Sequence, residues 1–353
     1  MKSTRKQLQQ PVELTCREHT LALLDVASEQ VARLGTDDDP ETLHDFRVSV
    51  RRLRTYLEAY RSHLPKSLGK KTRKELGGLI SATNRGRDDQ VQLRWLQQQL
   101  EHRNLPKLTR QGYVLVSDDF GSTSFDSGSE ELELVTRSFS KTAERLSSHL
   151  GQPLRTIRVT EAGKSLSFAA ATGAIIRELT TRLSDRLAAI ESMDQEKKLH
   201  RTRLVAKKMR YVLEPVSLLV TGGRTSVTRL KGLQDLLGDL HDLHILEQCV
   251  RTKLKRNVAG WSRALVDVAT SETQLAVVNR QGSDTDDVRA LAAALHGVRR
   301  SESRLFAKFE QRWLKGNSEP FMLQADNITL QLLPAELLVR KGEVVNQVSR
   351  IVN

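Results

Sequence analysis

Cysteine is nearly absent: the 353-residue chain has two, Cys16 and Cys249. One pair cannot staple a chain this long, so both are expected as reduced thiols in a cytoplasmic setting. Aromatic residues make up 4%, too few for a platform on which successive bases would stack. No run of about 18 apolar residues occurs, so no membrane span is expected. The start, MKSTRKQLQQPVEL, is basic but is followed by no apolar stretch, and is not read as a signal peptide. No βαβ alternation is visible, which leaves an all-α reading. What the chain does have is positive charge. Lys and Arg number 56 against 43 Asp and Glu, a formal charge of +13, and that excess asks for an anionic partner. Hydrophobic residues at 38% suffice for a core. The length fits about two domains or two similar halves.

Periodicity places helices along most of the chain. Leu14, Leu21, Leu24, Val31 and Leu34 form a stripe over 12–34 that Gly35 stops. After the acidic turn TDDDPE, Pro40 opens a helix over 41–62. Its apolar stripe is Leu43, Phe46, Val50, Leu53 and Leu57. Residues 68–102 read as one or two helices broken near Gly86. The run GYVLVS is compatible with a short strand. The segment 117–133 carries six acidic residues, no basic one and much Ser and Gly, and reads as a loop. Helical blocks follow at 130–150, 166–220, 226–256, 261–280 and 286–315. The tail from 321 reads as a short strand and a terminal helix.

The chain repeats itself. LHDFRVSVRRLRTYLE (43–58) aligns with LHRTRLVAKKMRYVLE (199–214) at an offset of 156. His44 meets His200, Arg47 meets Arg203, Arg51-Arg52 meet Lys207-Lys208, Arg54 meets Arg210 and Glu58 meets Glu214. QVARLG lies opposite LAAIES, and TNRGRDDQV (83–91) faces LGDLHDLHI (237–245) at offset 154. A duplicated helical unit explains this, its halves related by a pseudo-two-fold axis. His44, Arg47, Arg51, Arg54 and Glu58 are spaced 3-4-3-4 and share one stripe, about 100° from the apolar one. Each copy therefore turns one face to a core and the next to a column of cations. Residues 44–74 hold ten Lys/Arg and two Asp/Glu, and 196–214 hold seven and two. Stacked like charges weaken a helix unless anions neutralise them. The regular spacing suits a linear polyanion better than one compact ligand.

H-x-x-R-V-x-x-R-R-L-R at 44–54, H-x-x-R-x-x-x-K-K-x-R-Y at 200–211 and LQDLLGDLHDLHIL at 233–246 resemble the signature of the CHAD family, the conserved histidine α-helical domain. The resemblance runs over roughly residues 12 to 315. It implies an all-α fold of two four-helix-bundle halves around a central basic groove or pore. It also implies non-catalytic binding of inorganic polyphosphate. No triphosphate-processing CYTH domain is visible, so the chain resembles a stand-alone member. Its expected organisation is one domain over 12–320 with repeats at about 12–150 and 160–315, an acidic loop at 117–133 and a C-terminal extension at 321–353. Asn84, where the second copy has Gly238, departs from the pattern.

Polyphosphate has charge without bases, so a binder needs Arg forks and Lys point charges rather than aromatic platforms. The expected contacts are Arg47, Arg51, Arg52, Arg54, Arg203, Lys207, Lys208 and Arg210. Lys70, Lys71, Arg73 and Lys74, with Arg229 and Lys231, would extend the path or form a solvated helix end. His44 and His200 either gain protons beside a polyanion or are structural at the heads of their helices. Glu58 and Glu214 are read as orienting arginines. No cofactor, metal or catalytic residue is expected. Polyphosphate granules or a polyphosphate-handling enzyme are compatible partners. Two rivals stand against this reading. Net charge permits nucleic-acid binding. His241-Asp242, with His200 upstream and further Asp downstream, is similar to the HD-type metal phosphohydrolases, and His241 and His244, at i and i+3, could share a metal. Against the latter, the repeat puts Arg87 where His241 stands, and cationic surroundings repel a divalent ion. Asp88 and Asp242 are read as fixing a helix junction in each half.

Overall fold

The computed structural model describes residues 2–34, 40–65, 68–83, 87–121, 129–152, 157, 165–270 and 278–333. Helices account for nearly all of it, and among the described residues there is no strand beyond one isolated bridge, Pro11 to Ser167. In chain order they are α1 (Arg5–Gln9), α2 (Val12–Leu34), α3 (Pro40–Ala59), α4 (Lys70–Ala82), α5 (Arg87–Leu100) and α6 (Lys107–Gly121). There follow α7 (Ser129–Gly151), α8 (Phe168–Ala188), α9 (Glu196–Leu213), α10 (Gly223–Thr270), α11 (Val278–Trp313) and α12 (Glu319–Leu332). Local chemistry sets several starts. Thr4 and Gln7 close a capping box on α1, and the Ser167 hydroxyl accepts the Ala170 N–H to open α8.

Helices α2, α3, α4 and α7 pack on one another, as do α8, α9, α10 and α12. Contacts of α3 with α9 and of α2 with α8 join the two groups. One apolar core runs through both. Phe46, Val50, Leu53 and Leu57 of α3, each at most 1% exposed, belong to it, as do Ala206, Met209 and Val212 of α9. A second core lies where α5 and α6 meet α11 and the middle of α10, around Leu96, Tyr113, Leu246 and Leu291.

Four expectations about elements are corrected. GYVLVS is not a strand but part of α6. Tyr113, Val116 and Phe120 are buried at helical spacing, and Gly112 has no side chain because the backbone of Ala290 lies against it. The acidic stretch 117–133 is a loop only in part, since Ser117–Gly121 complete α6 and Ser129 opens α7; residues 122–128 lie outside the described ones. The blocks at 226–256 and 261–280 do not split where expected, because α10 is one 48-residue helix to Thr270, roughly 72 Å long. The apolar tail after 320 forms helix α12, with Phe321, Ala325, Ile328 and Leu332 buried on one face. The terminal helix expected beyond it falls outside the described residues.

Candidate functional site

The contact between α3 and α9 brings the two cation columns together. Lys207 sits at the meeting point. Its amine is held down from the ordinary 10.5 to about 7, by burial first and then by the charges of Arg51, Arg203, Arg210 and Arg54. Four of those five side chains come in equivalent pairs: Arg51 with Lys207, and Arg54 with Arg210. Arg47 is buried on α3, at 6% exposure, and His44 is half-buried near the start of the same helix.

Glycines let two of the arginines lie flat. The Arg54 guanidinium rests on Gly77 of α4, where an added Cβ would meet its Cζ at 3.4 Å. Arg203 rests on Gly238 of α10, where an added Cβ would meet Nη2 at 3.1 Å. Arg54 Nε also donates to the Arg73 carbonyl at 3.2 Å. Tyr211 lies between Arg210 of the α9 column and Arg52, which flanks the α3 column, at 4.7 Å and 5.7 Å from its ring centre. Glu214 stands 3.6 Å from Arg210 and 3.7 Å from Arg52. Glu58 pairs with Arg73 at 2.6 Å and with Arg61 at 3.4 Å. The Nε atoms of Arg203 and Arg210 are buried without a hydrogen-bond partner.

Other sequence-derived candidates lie elsewhere. Lys208 points away from Lys207, into surroundings shaped by Glu58, Glu178, Arg182 and Arg61. One residue of displacement turns a helical side chain by about 100°, which separates the two lysines. Arg229 covers the rings of Trp313 and Phe321 at 5.6 and 5.4 Å. Lys70, Lys71, Lys74 and Lys231 are exposed, while Arg73 is drawn to Glu58. Arg52 is exposed beside the columns rather than in them.

His200 and His241 meet in a cluster completed by Glu196, a residue the sequence motifs had not singled out. The His200 ring lies 5.3 Å from that of His241, and His241 Nδ1 lies 3.2 Å from Glu196 Oε1. Burial, then His241 and the nearby Arg203 and Lys207, hold His200 below its ordinary range, with Glu196 pulling the other way. The three ligand-type atoms of Glu196, His200 and His241 lie within 4.8 Å of one another, a set that could hold an ion, but one beside Arg203 and Lys207, which disfavour a dication. His244 does not join it. It faces Glu247 and Glu302 instead, and among the described residues the two histidines belong to separate groups of ligand-type atoms. The signal for Glu196 was available, since it precedes His200 by one helical turn. Gly77, Gly238 and Tyr211 carried no such signal, because their roles depend on which helices become neighbours.

An all-helical body with paired basic helices pressed together narrows the class of protein sharply. The family model described as the CHAD domain matches residues 19–251, well over half of the chain, and the chain belongs to that family. Solved structures share the fold, two of them as follows. The CHAD domain from the plant Ricinus communis aligns with a TM-score of 0.51 at 18% identity, covering 82% of this chain and 93% of its own. PptA from Streptomyces chartreusis aligns with a TM-score of 0.59 at 16% identity, covering 86% and 99%. None of the curated proteins compared matches the sequence.

Proposed function

We propose that the protein binds long-chain inorganic polyphosphate, without transforming it, along the seam between α3 and α9. In this reading the two four-helix groups are halves related by a pseudo-two-fold axis, and the seam is a basic groove between them. The observation that carries it is the crowding of Arg51, Arg54, Arg203 and Arg210 around Lys207. Such an assembly is electrostatically costly alone and is relieved by an anion with several charges. Its contributions from two helices favour an extended ligand over a single phosphate. Arginine supplies paired donors to phosphate oxygens, and the site offers Tyr211 to arginines rather than to bases. Membership of the CHAD family agrees with this ligand class.

The test is a titration with polyphosphates of defined length, with duplex DNA, RNA and nucleotides as competitors. Affinity is expected to rise with chain length until the groove is filled. Simultaneous charge reversal of Arg51, Arg54, Arg203 and Lys207 is expected to abolish binding while the helical signal persists. If nucleic acid competed equally at equal phosphate concentration, the nucleic-acid reading would replace this one. If orthophosphate bound as well as a long chain, a compact pocket would.

A further inference from the structure

The middle of α10 carries a second group of titratable side chains, distinct from the basic seam. His244 and Glu247 lie one turn apart on α10, and Glu302 faces them from α11. His244 Nδ1 lies 3.8 Å from Glu247 Oε2 and 3.7 Å from Glu302 Oε1. Those separations are too long for hydrogen bonds. They are close to the spacing of ligands around one small cation, since bonds of about 2.1 Å in a tetrahedron put ligand atoms about 3.4 Å apart. All three ligand-type atoms lie within 4.8 Å of one another.

Burial supplies an independent observation. Glu247 is 1% exposed and Glu302 2% exposed, in a region where a carboxylate needs firm partners. Glu302 Oε2 is buried and accepts no hydrogen bond. Two guanidiniums border these carboxylates without neutralising them fully. Arg251 bonds Glu247 Oε1, and Arg299 donates to Asp194 at 2.8 Å while staying 3.7 Å from Glu302 Oε2 and 3.8 Å from Glu247 Oε1. Around His244, the three carboxylates of Glu247, Glu302 and Asp194 stand against the two guanidiniums of Arg251 and Arg299. That balance accepts a dication, unlike the cluster at Glu196 beside Arg203 and Lys207.

We infer that His244, Glu247 and Glu302 form a site for a divalent transition-metal ion of the zinc type, clamping α10 to α11. The imidazole excludes a pure oxygen site for magnesium or calcium. Three protein ligands leave a fourth position, open on the partly exposed His244 side, for water. The role is structural: the ion ties two long helices and removes the cost of two carboxylates buried side by side.

The test uses the full chain, stripped by a chelator and free of polyphosphate, titrated with Zn2+ in a calorimeter and followed by thermal melting. One equivalent should bind and raise the melting temperature. His244→Ala and Glu302→Gln should each weaken uptake by about tenfold or more and abolish the Zn2+-dependent shift, whereas His241→Ala should change neither. Glu302→Gln keeps the side-chain shape, and His244→Ala removes a partly exposed ring. If one of them melts without metal below the parent, the other decides. Absence of uptake, or uptake retained in both variants, overturns the site. Loss confined to His241→Ala would move the ion to Glu196, His200 and His241, and also overturns it.

Discussion

Lys207 is a base under pressure to lose its proton, and that fixes the sign of two pH effects. Its folded value is about 7 and its ordinary value 10.5, so between them the unfolded chain holds the proton that the folded chain has released. Stability without ligand should therefore rise as pH rises through this window. A bound polyanion restores the proton, so polyphosphate affinity should fall over the same range, with proton uptake on binding that differs between buffers of different ionisation enthalpy. Lys207→Met should melt above the parent at neutral pH and bind long-chain polyphosphate roughly tenfold more weakly or worse, as expected for losing a charge contact worth about 1.4 kcal/mol or more. A variant that melted lower and bound equally well would detach Lys207 from the site. Arg229→Ala should act in reverse: affinity unchanged, stability down by about 1 kcal/mol from the lost cover over Trp313 and Phe321, read by denaturant titration. Sequence spacing alone gave Lys207 and Lys208 the same standing and placed Arg229 in an extension of the path or at a solvated helix end. Only the neighbours of each, brought in by other helices, tell them apart.

At the level of the helix, the period of three and four carries most of the information, and it was readable. The apolar stripe of α3 and the cation stripe beside it are both where the 3-4 pattern puts them, because helical geometry fixes the angle between them before any tertiary contact forms. GYVLVS shows where the pattern fails. Six residues are too few to separate a buried helix face from a strand, and the decision was made by α11 lying against Gly112. The glycines beneath the arginines were unreadable for a related reason. Gly238→Ala places a Cβ 3.1 Å from Arg203 Nη2, so the guanidinium must shift by tenths of an ångström. Polyphosphate affinity should drop several-fold, while stability changes by less than about 1 kcal/mol because alanine also favours a helix interior. Leu53→Ala, at 0% exposure, should do the opposite: a loss of about 2–5 kcal/mol in unfolding free energy with little change in affinity for the molecules still folded.

Over the whole molecule, binding should respond to salt as a multi-charge contact. If Arg51, Arg54, Arg203, Lys207 and Arg210 all engage the chain, and each neutralised phosphate contributes about 0.7 as in single-stranded polyanions, the slope of log affinity against log salt should be about 3 to 4 in magnitude. A slope near zero would leave no room for an extended ligand. The duplication is legible in the sequence, but the way its copies join is not. The chain ties its beginning to its middle. Val12 N–H donates to the Leu166 carbonyl and Phe168 N–H to the Gln10 carbonyl, both at 2.9 Å. Tyr60, wholly buried, stacks on Phe168 and shares a hydrogen bond with Thr172 at 2.9 Å. A repeated sequence suggests two units able to fold apart, but these contacts leave neither repeat with a complete interior of its own. The first copy expressed alone would expose Tyr60 to water, and the second would expose Phe168, so each fragment should remain expanded until the other is added.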